Sequence, residues 1–198
     1  AEMREHDLEP NAISYSAAMS ACEKGQEWER SLGMLAGIRQ QDLETHVISY
    51  AAAISACENG QQWEAALRRL VEMQNYSIER NEISYDAAIS ACKDGQEWER
   101  SLGMIAEMRQ QGLEVDVISN IAAISACEKG RQWERALGLL GEMHTYSLKP
   151  NVIHYSAVMS AFAKDRAWRR ALWILAEMPG HDVQPDVISS NMAIVREL

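Results

Sequence analysis

The chain has 198 residues, enough for one domain with a substantial core, so neither a disulfide nor a metal is needed to hold it together. Its 29 acidic residues outnumber the 19 basic ones, giving a net charge of -10 and the wrong sign for a general nucleic-acid binder, so any RNA surface has to be local. No apolar run approaches the roughly 20 residues needed to cross a bilayer, and the first residues are not a basic region followed by an apolar stretch.

In chain order, residues 1–11 read as the tail of a second helix, and a complete helix pair follows at 12–46. The same repeat returns without insertion or deletion at 47–81, 82–116, 117–151 and 152–186, and residues 187–198 begin another. Tryptophan marks the 35-residue step at Trp28, Trp63, Trp98, Trp133 and Trp168. Cysteine follows it at Cys22, Cys57, Cys92 and Cys127, with Phe162 in the fifth place, and glycine at Gly25, Gly60, Gly95 and Gly130, replaced by Asp165. Repeats one and three share QEWERSLGM and RQQ, whereas two and four share Tyr76-Ser77 and Tyr146-Ser147, which points to growth by duplication of pairs.

Within each repeat the apolar period is helical. Tyr15, Ala18, Met19 and Cys22 stand at i, i+3, i+4 and i+7, as do Tyr50, Ala53, Ile54 and Cys57, and Trp28, Leu32, Leu35 and Ile38 give the stripe of a second helix. Asn11, Asn81, Asp116, Asn151 and Asp186 stand where an N-cap belongs; Gly25 and its equivalents stand just past the first helix, where a positive φ is expected. Leu43, Ile78, Leu113, Leu148 and Val183 pin the turn to the next repeat. A lone helix pair cannot bury its apolar faces, so the pairs must stack: the expected fold is an all-α solenoid of antiparallel helix pairs over residues 1–198. The chain opens with EMREHDLEPN and closes with SSNMAIVREL, neither of them a polar cap, so further repeats or another protein are expected to cover the ends.

The cysteines invite a metal or disulfide reading, but equivalent places on successive first helices lie about 10 Å apart, beyond the ~7 Å limit for a disulfide. Phe162 shows that the slot takes an apolar filler. Tryptophan could stack on bases, but its place beside the leucine stripe favours packing. Only Trp173 falls outside the register, as a candidate partner contact. No nucleophile with a base partner, phosphate-cradling glycine loop or shared histidine place is found, so no catalysis, cofactor, metal or small-molecule substrate is expected.

A 35-residue helix pair with Ile-Ser-Tyr opening the first helix, Glu-Met late in the second and Pro-Asn or Pro-Asp before the next, as in VISYAAAISACENGQQWEAALRRLVEM of repeat two, resembles the pentatricopeptide repeat. The resemblance covers essentially the whole chain and implies a right-handed superhelix, a plastid or mitochondrial location, and first helices that bind single-stranded RNA at about one base per repeat. It also implies site residues. The second place of each repeat packs on the base: Ile13, Ile48, Ile83, Ile118 and Ile153. The fifth and last places read its edge: Ser16 with His46, Ala51 with Asn81, Asp86 with Asp116, Ile121 with Asn151, and Ser156 with Asp186.

Further along the same stripe lie Glu23-Lys24, Glu58-Asn59, Lys93-Asp94, Glu128-Lys129 and Ala163-Lys164, where four acids offset four lysines and a polyanion loses its largest source of affinity. Lys24, Lys129 and Lys164 are candidate phosphate or partner contacts, joined by Arg166, Arg169 and Arg170 in the basic run AKDRAWRR, which suits phosphate or an acidic protein surface. Ser156 with Asp186 suits a purine, whereas Ile121 offers no hydrogen bond and Asp86 with Asp116 sets two carboxylates at one base. On the residues alone the balance tips to a scaffold holding the protein subunits of a larger organellar assembly. The alternative is the single-stranded RNA binding that the resemblance implies.

Overall fold

In the computed structural model, residues 12–25, 27–40 and 47–185 are described. They are all helical in their regular structure: α1 (Ala12–Lys24), α2 (Trp28–Gln40), α3 (Val47–Asn59), α4 (Trp63–Asn75), α5 (Glu82–Gly95), α6 (Trp98–Gln110), α7 (Val117–Lys129), α8 (Trp133–Thr145), α9 (Val152–Lys164), α10 (Trp168–Glu177) and a closing 3-10 turn, Met178–His181. Each repeat thus contributes a first and a second helix, as its periodicity predicts. The expected caps Asn11 and Asp186, the turn residue Leu43 and the part-repeats 1–11 and 187–198 lie outside the described residues.

The chain divides within α5 into two compact units, residues 1–91 and 92–198. In unit one, α1 packs on α2 and α3, and α3 packs on α4. In unit two, α7 packs on α6, α8 and α9, and α9 packs in turn on α8 and α10. First helix on first helix is the stacking of a solenoid.

Position in the stack decides how much of each helix is buried. First helices lie between neighbours and their own partner, so α3 buries Ser49, Tyr50, Ala51, Ala52, Ala53, Ile54, Ala56 and Cys57, most of its circumference. Second helices have one covered side, and α4 buries only the stripe Ala66, Leu67, Leu70 and Met73. Tyr50, Tyr85 and Tyr155, at one place in three repeats, are fully buried. The cysteine slot is buried at Cys22, Cys57, Cys92 and Cys127, and Phe162 fills it in repeat five. Burial pushes the Cys57 thiol up to about 11 and the Cys92 and Cys127 thiols up to about 12, so these are inert apolar fillers.

The glycine that follows the first helix has a different reason from the one its place predicts. Gly130 has φ -77, and the left-handed residue is the next one: Gln61, Gln96, Arg131 and Arg166 have φ of 57, 59, 58 and 57. Gln62 N–H bonds Cys57 C=O at 2.8 Å and Gln61 N–H bonds Glu58 C=O at 2.9 Å, the paired bonds of a Schellman ending. Glycine is instead required by close approach. A Cβ on Gly60 would lie 2.4 Å from Cδ1 of Trp28, and one on Gly130 would lie 2.5 Å from Cδ1 of Trp98. The half-buried Trp28 and Trp98 therefore pack against the glycine turn of the following repeat. In repeat five, where Asp165 replaces the glycine, Trp133 packs on Phe162 at 5.5 Å and lies under Arg170 at 3.7 Å.

Candidate nucleic-acid interface

At about 100° per residue, places two, nine and thirteen of a helix fall within ~20° of one line. On α3 these are Ile48, Ser55 and Asn59, on α5 Ile83, Ser90 and Asp94, on α7 Ile118, Ser125 and Lys129, and on α9 Ile153, Ser160 and Lys164. This line is the side of each first helix that packing leaves open. Ile48, Ile83, Ile118 and Ile153 are 67%, 62%, 63% and 53% exposed, while the tyrosines two residues on from Ile48, Ile83 and Ile153 are at most 1% exposed. One exposed isoleucine needs no explanation, but the same branched apolar side chain in the same open place on four helices does. The side chain of Ile13, the fifth of the set, lies outside the described residues.

The last residue of each repeat caps the next first helix, and the cap fixes its side chain. Asn81 Oδ1 accepts from Ser84 N–H at 3.1 Å, and Ser84 Oγ returns the bond by accepting from Asn81 N–H at 3.1 Å. Asp116 Oδ1 accepts from Ser119 N–H at 2.8 Å. Asn151 Oδ1 accepts from Ile153 N–H at 3.0 Å, and His154 Nδ1 accepts from Asn151 N–H at 3.1 Å. One oxygen of each of these side chains is thus held by backbone, and the amide nitrogens of Asn81 and Asn151 and the second oxygen of Asp116 take no part in these cap bonds. His46 and Asp186 lie outside the described residues.

The fifth places are more varied. Ser16 Oγ and Ser49 Oγ share a hydrogen bond of 2.8 Å, and Ala51 is only 7% exposed. Asp86 and Ile121 are half-buried. Ser156 Oγ is buried with no hydrogen-bond partner among the described residues.

The charged end of the line behaves differently from a set of free cations. Lys129 Nζ lies 2.8 Å from Asp94 Oδ1, and Lys164 Nζ lies 3.0 Å from Glu128 Oε1. Ser160 Oγ also donates to Glu128 Oε1, at 2.6 Å. Two of the four lysines counted along the stripe are therefore in specific pairs with acids of the preceding repeat. Their partners Asp94 and Glu128, and the tether Ser160, were not among the predicted site residues. The recurrence of serine at Ser20, Ser55, Ser90, Ser125 and Ser160 was the available signal. Lys24 is exposed, with Asn59 Nδ2 donating to the neighbouring Glu23 C=O at 3.2 Å.

The basic run disperses in the same way. Arg170 is used on the face of Trp133, Arg166 forms the left-handed turn, and Arg131 bonds Asp165 at 3.1 Å. Arg169 is exposed, and Trp173 is 53% exposed on α10, as its place outside the register predicts. Among the described residues no group of three metal-ligating side chains occurs, and no helix is long and apolar enough to cross a membrane.

Comparison with known proteins agrees with the periodicity. A family model described as the pentatricopeptide repeat domain matches residues 104–165 and 147–195. The maize pentatricopeptide repeat protein PPR10 is 21% identical with a TM-score of 0.72, over 97% of this chain and 27% of that one. The same maize protein in complex with an 18-nucleotide psaJ RNA element is 19% identical with a TM-score of 0.76, over 93% of this chain and 27% of that one. The repeat domain of Arabidopsis thaliana protein-only RNase P 1, in complex with tRNA, is 12% identical with a TM-score of 0.77, over 89% of this chain and 93% of that one. This chain therefore spans about a quarter of the maize protein. Identities this low show a shared fold. No curated protein matches the chain.

Proposed function

We propose that this chain, which belongs to the pentatricopeptide repeat family, binds single-stranded RNA along the open line of its first helices. The observation that carries the reading is the recurrence of exposed isoleucine at Ile48, Ile83, Ile118 and Ile153, the last three beside Asn81, Asp116 and Asn151, whose side chains are pinned by a helix cap. A flat apolar surface next to a fixed polar atom is what an unstacked base needs, a face to pack on and a partner for its edge. The complexes of the maize protein with an RNA element and of the Arabidopsis repeat domain with tRNA support the same choice of ligand. We take the RNA to be a plastid or mitochondrial transcript, the usual setting of the family. RNA thus becomes the primary reading in place of the protein scaffold that acidity, the neutral stripe, the poor base-reading pairs and the uncapped ends favoured. The scaffold reading keeps one observation, the exposed Trp173 beside Arg169 on α10.

The test is binding of mixed-sequence single-stranded RNA at low salt, followed by fluorescence anisotropy. Ile118→Asp with Ile153→Asp should weaken binding by about tenfold or more, since each places a carboxylate where a base packs beside a polyanion, roughly 1.4 kcal/mol or above. The melting temperature should hold, because both side chains are exposed. No binding by the wild-type chain would end the proposal.

A further inference from the structure

We infer that Asp94 and Glu128 set the balance between backbone affinity and base reading, by occupying the lysines that would otherwise meet phosphate; the inference rests on the RNA reading above. Lys129 and Lys164 stand on the open line of α7 and α9, eleven residues beyond Ile118 and Ile153. At 1.5 Å per residue that is about 16 Å along the helix, so a strand whose bases pack on the isoleucines would carry its phosphates across the lysine end. There each ammonium already has a carboxylate, Asp94 at 2.8 Å and Glu128 at 3.0 Å. Ser160 holds Glu128 in place from the same helix as Lys164, at 2.6 Å.

These pairs are accessible: the lysine side chains are 39% and 41% exposed and the acids 31% and 21%. Exposed pairs are worth at most about 1 kcal/mol, so a phosphate can displace the carboxylate. Displacement leaves that carboxylate next to the incoming strand, and both effects subtract from the phosphate contribution. Neither touches the contacts at Ile118 and Ile153. Phosphate contacts position a strand without reading it, so weakening them raises the share of affinity that depends on base identity. The acids are therefore specificity-determining residues acting through the lysines, and a structural role alone predicts a different outcome.

The experiment compares the wild-type chain with Asp94→Asn, Glu128→Gln and the double variant, using a uridine homopolymer and a mixed-sequence strand across a salt series. The double variant should bind both strands about tenfold more tightly at low salt and steepen the slope of log affinity against log salt by about 1.4, at ~0.7 for each phosphate newly neutralised. The ratio between the two strands should shrink. Adding Lys129→Met and Lys164→Met to the double variant should return the slope to the wild-type value. If wild-type protein binds and the double variant matches it in affinity and slope, or only melts at a lower temperature, the inference fails and the RNA reading stands. If neither protein binds either strand, the RNA reading fails and takes the inference with it. Binding by the double variant alone would also end the RNA reading, since the native chain would then not bind.

Discussion

In unit one, Arg39 of repeat one stacks over Tyr76 of repeat two at 4.3 Å, donates to its hydroxyl and lies 3.5 Å from Glu72. In unit two, Arg109 stacks over Tyr146 at 4.3 Å and pairs with Glu142, at the same places of repeats three and four. Both units also set a glycine turn on the tryptophan of the repeat before it. Their packing is the same device used twice, which accounts for the pairwise rhythm of the sequence: the odd repeat brings the arginine and the even repeat the tyrosine and glutamate. The open line is where they part. In unit one it ends on the exposed Lys24 and on Asn59, which bonds the Glu23 carbonyl, whereas in unit two Lys129 and Lys164 are held by acids of the preceding repeats. Packing and ligand charge vary independently because the arginine–tyrosine rung lies on second helices and the open line on first helices.

If the packing is shared, its disruption should cost the same in both units. Gly60→Ala and Gly130→Ala each place a Cβ against the base of a tryptophan, 2.4 and 2.5 Å from Cδ1, where no flexible chain end can give way. Each should lose about 1–3 kcal/mol of stability in denaturant unfolding. Gly33→Ala and Gly103→Ala are the control, since a Cβ at either meets nothing within 4 Å, and each should gain about 0.5–1 kcal/mol by relieving a helix of glycine. A loss at Gly60 without one at Gly130 would break the equivalence. Removing the cation-aromatic rung, by Arg39→Ala or Arg109→Ala, should cost about 0.5–1 kcal/mol in either unit, because the groups are partly exposed.

The repeat made most of this legible before any coordinates. Period, caps and apolar stripes follow from local chemistry, and every first and second helix among the described residues begins where the tryptophan, asparagine and aspartate places put it. Glycine was misread because two causes, a positive φ and a close neighbour, favour the same residue; only the position of Trp28 beside Gly60 separates them. The candidate site was legible as a set of places but not as a set of partners. Nothing in the order of residues says that Lys129 faces Asp94 rather than Glu128, since that depends on the offset between stacked helices. The stacking of Arg170 on Trp133 was illegible for the same reason, its partner being a repeat away.

The charge contrast on the open line has a smaller but more direct test. Asn59→Lys gives α3 the cation that α7 and α9 carry at this place, with only the Asn59 bond to the Glu23 carbonyl to lose. Affinity for mixed single strands should rise a few-fold, and the salt slope should steepen by about 0.7. A rise in affinity with no change in slope would mean that the new lysine acts on something other than phosphate.

The last contrast is one residue at the third place of the repeat, where Ser49, Ser84 and Ser119 give way to His154, all of them fully buried. Burial holds the His154 imidazole below its ordinary value of 6.5, opposed only in part by the Val117 backbone. The folded state therefore resists a proton that the unfolded chain accepts. The stability His154 brings is fully present above about pH 6.5, the unfolded value, and falls as the pH drops below it toward the depressed folded value. Protonation also strikes the cap, because Nδ1 would no longer accept from Asn151 N–H. Chemical unfolding of the wild type and His154→Ser at about pH 7.5 and about pH 5.5 should show the acid-induced loss in the wild type and a flatter response in the variant. An equal loss in both would move the acid sensitivity to the carboxylates of the ion pairs and leave His154 as a cap alone.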